Sequence, residues 1–509
     1  MVVVVKMRVC LINPPRIQPK LWGNLGILQP LEIAYVAALL EKQYEVHIID
    51  AANEGWKNFE QIDGTKYRQG LRNKEIAARI KQWLPDVVGI TISFSGWWKT
   101  AYEVASIVKN IDNDVITVLS GLHPSARPVD CLEHPNIDFV VVGEAEYTML
   151  ELVEALEQGT TKGFKKIRGI GYIKNGETVI TPPRPAIQDL DALPFPARHL
   201  LPMEAYFAAV KKIPPRGEIH KPWTAMLTSR GCPYNCVFCS VHTLMGKKWR
   251  SRSPENVVDE VEQLIHTYHI KQIDFEDENM TLNKKRMETI CDLIVKRGLD
   301  IEWYTPNGVR ADTLDENLLT KMRESGCRKL RIAPESGVQR VVDQIIKKDL
   351  NLREVEKAVV LCKKVGIKIE CFFVIGLIGE TKEEIKESIN YAYKLRQMGA
   401  DRFYFNIAMP VYGTELYEQA KHGGFLRDGF SDEALAAAEP LIETPEFTAD
   451  DLRELCAEAN LVNQTFTRHK LMRAIRDPKK TIRVLLGKMN EQSNSMKRKP
   501  ASVESENSS

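Results

Sequence analysis

One stretch, Thr228-Ser-Arg-Gly-Cys-Pro-Tyr-Asn-Cys-Val-Phe-Cys-Ser240, decides how this sequence is interpreted. It places Cys232, Cys236 and Cys239 at C-x3-C-x2-C spacing, so one short loop can wrap three thiolates around a single inorganic centre. Thiolates are soft ligands that suit iron–sulfur clusters and zinc. A [4Fe-4S] cluster takes four cysteines for a full ligand set, so three leave one iron open, as a catalytic metal requires.

Zinc is the alternative metal, with His242 as a fourth ligand at C-x3-C-x2-C-x2-H spacing. Phe238 inside the motif and the strand–helix alternation after it favour the cluster. A disulfide framework does not fit the other cysteines, several of which lie in apolar runs as buried free thiols do in a reducing cytosol. These are Cys10, Cys131, Cys291, Cys327, Cys362, Cys371 and Cys456.

The motif resembles that of the radical S-adenosylmethionine (SAM) enzymes, in which three cysteines hold a [4Fe-4S] cluster. In that family the fourth iron chelates the amino and carboxylate groups of SAM. The resemblance implies that Phe238 lies near the adenine. Together with the region upstream, residues 7–420 resemble the cobalamin-dependent branch of the family, which contains class B radical methylases and anaerobic cyclases.

Composition sets outer limits on the function. The chain has 509 residues, enough for two or three domains, and its 70 basic and 68 acidic residues give a net charge of +2. That balance offers no electrostatic argument for nucleic acid. The N-terminus lacks a signal-peptide pattern, and no apolar run approaches the ~18 residues that span a bilayer, so we expect a cytoplasmic protein.

Residues 1–158 alternate apolar strands with helices, which predicts a doubly wound parallel sheet of the flavodoxin or Rossmann type. Ligands bind such sheets beyond the carboxyl ends of the strands. The loops at those ends resemble a cobalamin-binding domain, with Gly-x-His-Pro after the fourth strand and Gly-Glu-x-Glu after the fifth. The resemblance implies cobalamin contacts from Asn13, Ser93, Ser95, Gly121, His123, Ser125, Gly143 and Glu144.

The region departs from many other cobalamin proteins in one respect. The D-x-H-x-x-G motif, whose histidine ligates cobalt, is absent, and Asn-Pro-Pro ends the first strand instead. The lower face of the cobalamin is therefore left to other side chains, for which Phe94, Trp97 and Trp98 are candidates by position. The alternatives are that this domain binds another nucleotide or no ligand, and that His123 is an ordinary turn histidine.

The rest of the chain divides into four predicted parts. Prolines in residues 159–220 predict a linker that folds over both domains, with a hairpin at Asn175-Gly176. Residues 221–420 predict six strands with helices between them, a partial (β/α)6 barrel similar to a TIM barrel. Residues 421–489 are helical, with a basic face that is either solvated or meets a membrane surface or acidic partner. Residues 490–509 have the composition of a disordered tail.

The cysteine loop follows the first predicted barrel strand, at the end where barrel enzymes place their chemistry. For the later strand ends the resemblance implies SAM contacts, at Glu276, Glu335, Ser336, Gly376 and Gly379. Asn307 and Arg310 follow the third strand and are candidates to line the substrate cavity. The structural alternatives are a helix N-terminal charge cluster at Asp277 and Glu278 and a helix N-cap at Ser336.

The resemblance implies an enzyme that uses a [4Fe-4S] cluster, SAM and cobalamin. A 5′-deoxyadenosyl radical would abstract hydrogen from an unactivated carbon of a small-molecule or lipid-like substrate, and cobalamin would deliver a methyl group. An electron donor such as flavodoxin or ferredoxin is the expected partner. The alternatives are a radical cyclase or rearrangement enzyme without net methyl transfer, a radical enzyme whose N-terminal domain is only structural, and a zinc-stabilised binding module.

Overall fold

Two parallel sheets account for most of the fold in the computed structural model, which describes residues 6–19, 26, 28–159, 163–212, 222–437 and 439–464. Met1–Ala459 forms one compact unit and Asn460–Ser509 another. Of the second unit, residues 460–464 are described. Both sheets therefore belong to the same unit.

The elements are numbered in chain order within the described ranges. The strands are β1 (Arg8–Asn13), β2 (Arg16–Pro19), β3 (Glu45–Asp50), β4 (Phe59–Gln61), β5 (Lys66–Gln69), β6 (Val87–Thr91), β7 (Ile116–Ser120), β8 (Phe139–Val141), β9 (Ile170–Lys174), β10 (Glu177–Ile180), β11 (Trp223–Met226), β12 (Ser229–Arg230), β13 (Arg250–Ser251), β14 (Gln272–Phe275), β15 (Glu302–Val309), β16 (Cys327–Glu335), β17 (Lys368–Ile375) and β18 (Arg402–Ile407). The α-helices are α1 (Leu31–Leu40), α2 (Ala51–Glu54), α3 (Asn73–Trp83), α4 (Trp98–Ile111), α5 (Leu122–Ala126), α6 (Pro128–Leu132), α7 (Glu146–Glu157), α8 (Met203–Val210), α9 (Val241–Met245), α10 (Pro254–Tyr268), α11 (Lys284–Lys296), α12 (Glu316–Glu324), α13 (Leu352–Val365), α14 (Lys382–Met398), α15 (Glu415–Gly423), α16 (Asp432–Leu435) and α17 (Ala449–Asn460).

The N-terminal sheet has the strand order β10-β9-β8-β7-β6-β1-β3. Strands β3, β1, β6, β7 and β8 are parallel, and their order is that of flavodoxin-like sheets. These strands are apolar almost throughout, because helices cover both faces of a sheet of this type. The doubly wound prediction is therefore confirmed.

The hairpin predicted at Asn175-Gly176 also forms, as β9 and β10. Its first strand pairs antiparallel with β8, so the hairpin extends the N-terminal sheet. This part of the predicted linker is thus an edge of the first sheet, because the apolar face of β9 packs against its neighbours: Ile170, Gly171 and Tyr172 are buried.

The second sheet has the order β11-β14-β15-β16-β17-β18, in which each strand pairs parallel with the next one along the chain. This is the order expected of an open (β/α)6 barrel. In β16, Leu330 and Ile332 are completely buried, whereas the alternate residues Lys329 and Ala333 are only half-buried. Because strand side chains alternate between faces, one face packs against helices and the other lines the concave side.

Smaller elements complete the described ranges. β2, β5 and β4 form an antiparallel sheet, and β12 pairs antiparallel with β13. In the region 421–489 that is predicted to be helical, the structure has the end of α15 and the helices Asp432–Leu435 and Ala449–Asn460. Residues 465–489 of that region and the predicted tail 490–509 lie outside the described residues. No helix in the described ranges is long and apolar enough to cross a membrane.

Candidate active site

The three motif cysteines lie on a loop whose two ends are joined by the β12–β13 pair. Val237, between the second and third cysteines, anchors this loop from both sides. Its backbone N–H donates to the Ile346 carbonyl (3.0 Å), and its carbonyl accepts from the Leu416 N–H (2.8 Å). Val237 is buried, while all three cysteines are half-buried and free of disulfides. The backbone is therefore fixed and the thiols remain accessible.

Burial raises the pKa of each of the three thiols, and that of Cys239 to about 12. Neighbouring thiols add to the rise at Cys236 and Cys239, because three thiolates repel one another. A bound metal offsets this cost by supplying positive charge. The loop is therefore suited to thiolates only when a metal centre is present.

His242, the alternative fourth ligand, is engaged elsewhere. Its Nε2 lies 2.8 Å from the Cys232 carbonyl oxygen, a hydrogen bond within the loop. Among the described residues, no three His, Cys, Asp or Glu side chains converge on one ion position, as the ligands of a zinc ion do. In a [4Fe-4S] cluster each cysteine binds a separate iron, so convergence on one point is not required.

Four polar residues, Glu276 to Asn279, follow β14 and differ in their hydrogen bonding. Asp277 is buried and accepts hydrogen bonds from the Thr228 N–H (3.1 Å) and hydroxyl (2.7 Å) and from the Ser229 hydroxyl (2.5 Å). It therefore holds the chain that leads into the cysteine loop. Glu276, the predicted SAM contact, is half-buried, and its carbonyl accepts from Asn307 Nδ2 at 2.8 Å.

Glu278 and Asn279 differ in that some of their buried side-chain atoms are unpaired. Glu278 Oε2 and both side-chain polar atoms of Asn279 are buried without a hydrogen-bond partner in the described structure. Burial raises the pKa of Glu278 to about 8. Glu278 also raises the pKa values of Cys232 and Cys239, so its charge acts at the cysteine loop. Unsatisfied buried polar groups in a native structure call for a ligand or a water.

The end of β16 is strained and carries a buried ion pair. Glu335 adopts a positive φ of 66°, which is unusual for a residue other than glycine. Its carboxylate accepts from the buried Lys348 Nζ at 2.8 Å. Lys347 and Asp349, on either side of this lysine, also have positive φ values of 62° and 52°. Strain of this kind clusters at functional sites.

The other predicted SAM residues fall into two groups. Ser336 is fully buried, bonds the Ser388 hydroxyl (2.9 Å) and accepts from the Val338 N–H (3.2 Å), so its side chain is used within the fold. Gly376 has φ +83°, and a Cβ there would lie 2.7 Å from Leu452. Gly379, by contrast, is exposed, and a Cβ there would meet only Ile345, at 3.8 Å.

The two predicted substrate residues also differ. Asn307 is exposed, on an irregular part of β15. Arg310 is buried and lies behind the cysteine loop, with its guanidinium 3.6 Å from the Tyr234 ring centroid. It donates to the carbonyls of Lys348 (2.8 Å) and Asp349 (2.6 Å). These contacts support the loop rather than an open cavity.

The predicted cobalamin residues lie at the strand ends of the first sheet. Asn13 is buried and donates to Asp50 Oδ1 at 2.7 Å, whereas Ser93 is exposed. Ser95 and His123 are buried, and the Ser95 hydroxyl and the His123 Nδ1 have no partner in the described structure. Burial lowers the pKa of His123 to about 4, so its ring is neutral at pH 7.

Two of these loops are tied together by Ser125. Its hydroxyl donates to the Gly121 carbonyl (2.7 Å) and accepts from the Gly143 N–H (2.9 Å). Gly121 has φ +102°, and a Cβ there would lie 2.8 Å from the Ile92 carbonyl oxygen. A Cβ at Gly143, which has φ +85°, would meet no atom within 4 Å. The loops thus form a rigid edge with open space in front of Gly143.

The candidates for the lower face of a cobalamin pack mostly against protein. Trp97 Nε1 donates to the Ile17 carbonyl at 2.7 Å, and its ring meets Phe94 edge-on. Phe94 also packs against the cluster of Tyr412, Leu435 and Leu441 from the C-terminal part of the chain. The Trp98 ring lies edge-on to Tyr102.

Glu144, also a predicted cobalamin contact, reaches across to the second sheet. Its carboxylate binds Arg230 Nη1 (3.0 Å) and Arg250 Nη1 (2.8 Å) and accepts from the Ile187 N–H (2.7 Å). Its neighbour Glu146 binds Arg230 Nη2 at 2.6 Å. The loop after β8 is therefore bonded to the strand that enters the cysteine loop.

Comparisons with known proteins agree with this geometry. Residues 226–392 match the radical SAM superfamily, and residues 25–153 match the B12 binding domain. An uncharacterised methyltransferase of Pyrococcus horikoshii is 36% identical over 89% of this chain and 91% of its own length. The chain belongs to the cobalamin-dependent radical SAM enzymes. Cytidylyl-2-hydroxyethylphosphonate methyltransferase of Streptomyces wedmorensis is 32% identical, over 85% of each chain.

Solved structures of cobalamin-dependent radical SAM enzymes share the fold. The methyltransferase TsrM of Kitasatospora setae, with cobalamin and a [4Fe-4S] cluster bound, matches 83% of this chain and 76% of its own with a TM-score of 0.64 and 18% identity. OxsB, with aqua-cobalamin and SAM bound, matches with a TM-score of 0.61 and 20% identity over 76% of this chain and 52% of its own. At these identities the likeness concerns the fold alone.

This radical SAM enzyme takes a [4Fe-4S] cluster, SAM and cobalamin as cofactors, and its residues fit all three. Three accessible thiols suit the cluster. The unpaired Glu278 oxygen and the Asn279 amide suit a polar ligand beside it. The space in front of Gly143 suits a large ligand that approaches the backbone.

Sequence reasoning missed two residues of this site. The sequence presents Glu278 only as part of a helix N-terminal charge cluster, and no sequence pattern singles out Lys348. The run Glu276-Asp-Glu-Asn279 did signal an unusual strand end, but which carboxylate lacks a partner depends on packing. Lys348 lies well beyond its strand, and the chain returns it to Glu335 through the π-helical turn Val341–Ile345.

Proposed function

We propose that this enzyme transfers a methyl group to an unactivated carbon of a small-molecule or lipid-like substrate. Two relatives that match most of the chain are named methyltransferases, which supports methyl transfer. The observation that carries the proposal is the bonding of Glu144 and Glu146 to Arg230. Glu144 and Glu146 are one and three residues after Gly143, and Arg230 is two residues before Cys232. A cobalamin and a cluster held by these two bonded loops would lie close to one another.

In this proposal Cys232, Cys236 and Cys239 would hold the cluster, which would supply the binding position for SAM. Glu278 holds the ammonium group of SAM, because it offers an unpaired carboxylate oxygen beside the cysteine loop. Lys348 balances the carboxylate of SAM, since its positive charge acts at Cys232 and Cys236. A charge-assisted hydrogen bond of either kind is stronger than a neutral one.

Phe238 and the exposed Gly379 would contact the adenosine part of SAM. Gly376 shapes the turn that presents Gly379, with its N–H held by Glu380 at 2.8 Å. Glu335 and Ser336 complete this edge, Glu335 by orienting Lys348 and Ser336 by fixing the turn after β16.

Cobalamin contacts come from the loops of the first sheet. Ser93 is exposed there, and Ser95 and His123 have polar atoms that lack partners. Gly121 and Gly143 allow close backbone approach, and Ser125 holds the two loops together. Asn13 acts indirectly, by fixing Asp50 at the neighbouring strand end.

When bound, the cofactors supply radical hydrogen abstraction and a transferable methyl group. The chain fixes the positions of the cofactors relative to each other, excludes water and orients the substrate carbon. Asn307 is the exposed residue we assign to the substrate side of the cavity. Reducing equivalents come from a donor such as flavodoxin or ferredoxin, in the cytoplasm.

A second candidate function is radical ring formation without net methyl transfer. The anaerobic magnesium-protoporphyrin IX monomethyl ester cyclase of Rubrivivax gelatinosus is 32% identical over 63% of this chain. The match spans 56% of that cyclase. The methyltransferase relatives match more of this chain, so methyl transfer is the first proposal.

The test uses anaerobically reconstituted full-length protein with a strong reductant, SAM and hydroxocobalamin. Mass spectrometry quantifies 5′-deoxyadenosine and S-adenosylhomocysteine. We expect both products, the second only when cobalamin is present. Cys236→Ala abolishes 5′-deoxyadenosine, whereas the control Cys456→Ala, which removes another half-buried thiol, leaves it unchanged.

The outcomes separate the candidates. 5′-Deoxyadenosine without S-adenosylhomocysteine contradicts methyl transfer and favours the cyclase. Absence of both products, in protein that contains zinc and no iron, contradicts the assignment of the cysteines to a cluster.

A further inference from the structure

Two arginines face each other at the base of the cysteine loop. Arg230 ends β12 and Arg250 begins β13, and the two are direct cross-strand partners. Like charges in this position repel and destabilise a strand pair. Both side chains are also almost completely buried. The ribbon that closes the cysteine loop therefore requires anions from elsewhere in the chain.

Those anions come from the loop after β8. Glu144 lies between the two arginines and binds both, and Glu146 binds Arg230. The two carboxylates are as buried as the arginines, at 5% and 4% side-chain exposure. Two positive and two negative charges balance. Removing one partner leaves a buried charge unpaired, which is strongly unfavourable, so the network resists opening.

Each side of this network adjoins a cofactor loop. Glu144 follows Gly143, whose N–H is held by Ser125. Arg230 precedes Gly231, where an added Cβ would lie 2.5 Å from the Lys248 carbonyl oxygen. The turn between Arg230 and Cys232 is therefore closely packed. A shift of the loop after β8 is therefore passed to the cysteine loop through buried ion pairs.

We propose that Arg230 is a positioning residue that couples cobalamin binding at the loop after β8 to SAM binding at the cysteine loop. This inference rests on the proposed function, in which those two loops hold the two cofactors. Because binding free energies are reciprocal, cobalamin strengthens SAM binding by the same factor as SAM strengthens cobalamin binding. The ion pairs thus set the geometry in which the two cofactors meet.

The chain contains a matched control. Glu260 is also a buried carboxylate between two arginines, bonded to Arg198 Nη1 at 2.6 Å and to Arg252 Nη1. It is fully buried on α10, and its arginines bind the carbonyls of Ala225 and Leu227 in and just after β11. Glu260→Gln therefore weakens a comparable network that also reaches the base of the cysteine loop, through Arg252, but is not bonded to the loop after β8.

The experiment measures the dissociation constant of SAM by equilibrium dialysis, with and without hydroxocobalamin, on full-length protein with an unreduced cluster. In the wild type we expect cobalamin to lower the dissociation constant of SAM by at least about fivefold. The ratio of the SAM dissociation constants without and with cobalamin falls to less than about twofold in Glu146→Gln and keeps its wild-type value in Glu260→Gln. Adding cobalamin also changes the electron paramagnetic resonance spectrum of the reduced cluster in wild type and Glu260→Gln, but not in Glu146→Gln.

A wild-type ratio of one, or an unchanged ratio in Glu146→Gln, overturns the coupling while leaving the proposed function intact. Wild-type protein that binds no cobalamin or holds no cluster contradicts the proposed function itself, and the coupling with it. If Glu146→Gln does not fold, Arg230→Lys gives the same test, because lysine keeps the charge but loses the two-pronged contact with both carboxylates. An undiminished ratio in Arg230→Lys contradicts the proposal.

Discussion

The strand-end loops of the two sheets are built differently. In the second sheet, the side chains themselves are displayed: three half-buried thiols, with an unpaired carboxylate oxygen at Glu278. In the first sheet, Asn13 and Glu144 are occupied by partners within the protein. What stays open there is the backbone in front of Gly143, together with the exposed Ser93 and the unpaired Ser95 hydroxyl and His123 Nδ1.

This difference follows from the ligands each region is proposed to hold. Iron requires particular side chains, because only thiolates supply the soft donors. A large organic cofactor can be held through shape, hydroxyl groups and backbone contacts, which many residue types provide. Residue identity therefore predicts function well at the cysteine loop and less well at the loops of the first sheet.

The largest effect is expected at the cysteines. Cys236→Ala removes one of three proposed iron ligands, so we expect loss of the cluster, measured as iron and acid-labile sulfide per chain. Cys456→Ala is the control and keeps the wild-type content. Full iron content in Cys236→Ala, or stoichiometric zinc in the wild type, would falsify the assignment of the three cysteines as ligands of an iron–sulfur cluster.

The next effect distinguishes two carboxylates at the end of β14. Glu278→Gln replaces the unpaired carboxylate oxygen, which a bound ammonium group would hold in its charged form, so we expect SAM to bind about 10- to 100-fold more weakly, as for a lost hydrogen bond between charged groups. Glu276→Gln is the matched control and has a smaller effect. Equilibrium dialysis with SAM checks this, and a larger loss in Glu276→Gln reverses the assignment.

A smaller effect is expected at the backbone-built loop. Gly143→Ala places a methyl group in the open space, so we expect cobalamin to bind about tenfold more weakly, measured by absorbance titration. Gly176→Ala is the control, since Gly176 also has a positive φ (+81°) and no atom within 4 Å of an added Cβ. Both variants lose roughly 1–2 kcal/mol of stability from backbone strain. Equal cobalamin affinity in the two variants contradicts an open cradle at Gly143.

The smallest effect concerns the pH dependence of stability. His123 has a pKa of about 4 when folded, below its ordinary value of about 6.5, so the unfolded chain binds more protons between these values. Its contribution to stability is therefore complete above pH 6.5 and is lost as the pH falls towards 4. We expect wild type to lose about 1 kcal/mol from this residue between pH 7 and pH 5.5.

Urea unfolding of wild type and His123→Gln at both pH values isolates this contribution from that of Arg127, Asp130 and Asp432, whose charges also act on the ring. The variant lacks the His123 part of the pH dependence. An identical pH dependence in both proteins shows that His123 is not held neutral by burial.

Much of the fold could be predicted, because strands buried on both faces are continuously apolar and stand out between turn residues. The doubly wound sheet predicted in residues 1–158 and the six-stranded sheet predicted in residues 221–420 both form. The β12–β13 pair was not predicted, since each strand has two residues and their pairing depends on a loop closing between them. The short helix Asp432–Leu435 ends beside Gly96, where an added Cβ would lie 2.8 Å from the Ala436 nitrogen, a contact that spacing in the sequence does not indicate.

Among the site residues, the sequence was least informative where side chains have more than one possible partner. Arg310 was predicted to line the substrate cavity, but it stacks on Tyr234 behind the cysteine loop. Ser336 bonds Ser388, which is 52 residues away in the chain. Such partners are distant in sequence, so spacing does not reveal them.

The sequence by itself determined that a doubly wound sheet is followed along the chain by a six-stranded sheet, and that a C-x3-C-x2-C loop follows the first strand of the second sheet. Hydrophobic periodicity and ligand chemistry determine these features, because both are local properties of the chain. Only the tertiary structure decided which polar groups are satisfied. It paired Asp277 with the start of the cysteine loop, left Glu278 Oε2 without a partner and placed Glu144 between Arg230 and Arg250. These pairings matter because burying a charged group without a partner costs free energy, and only the folded chain brings the partners together.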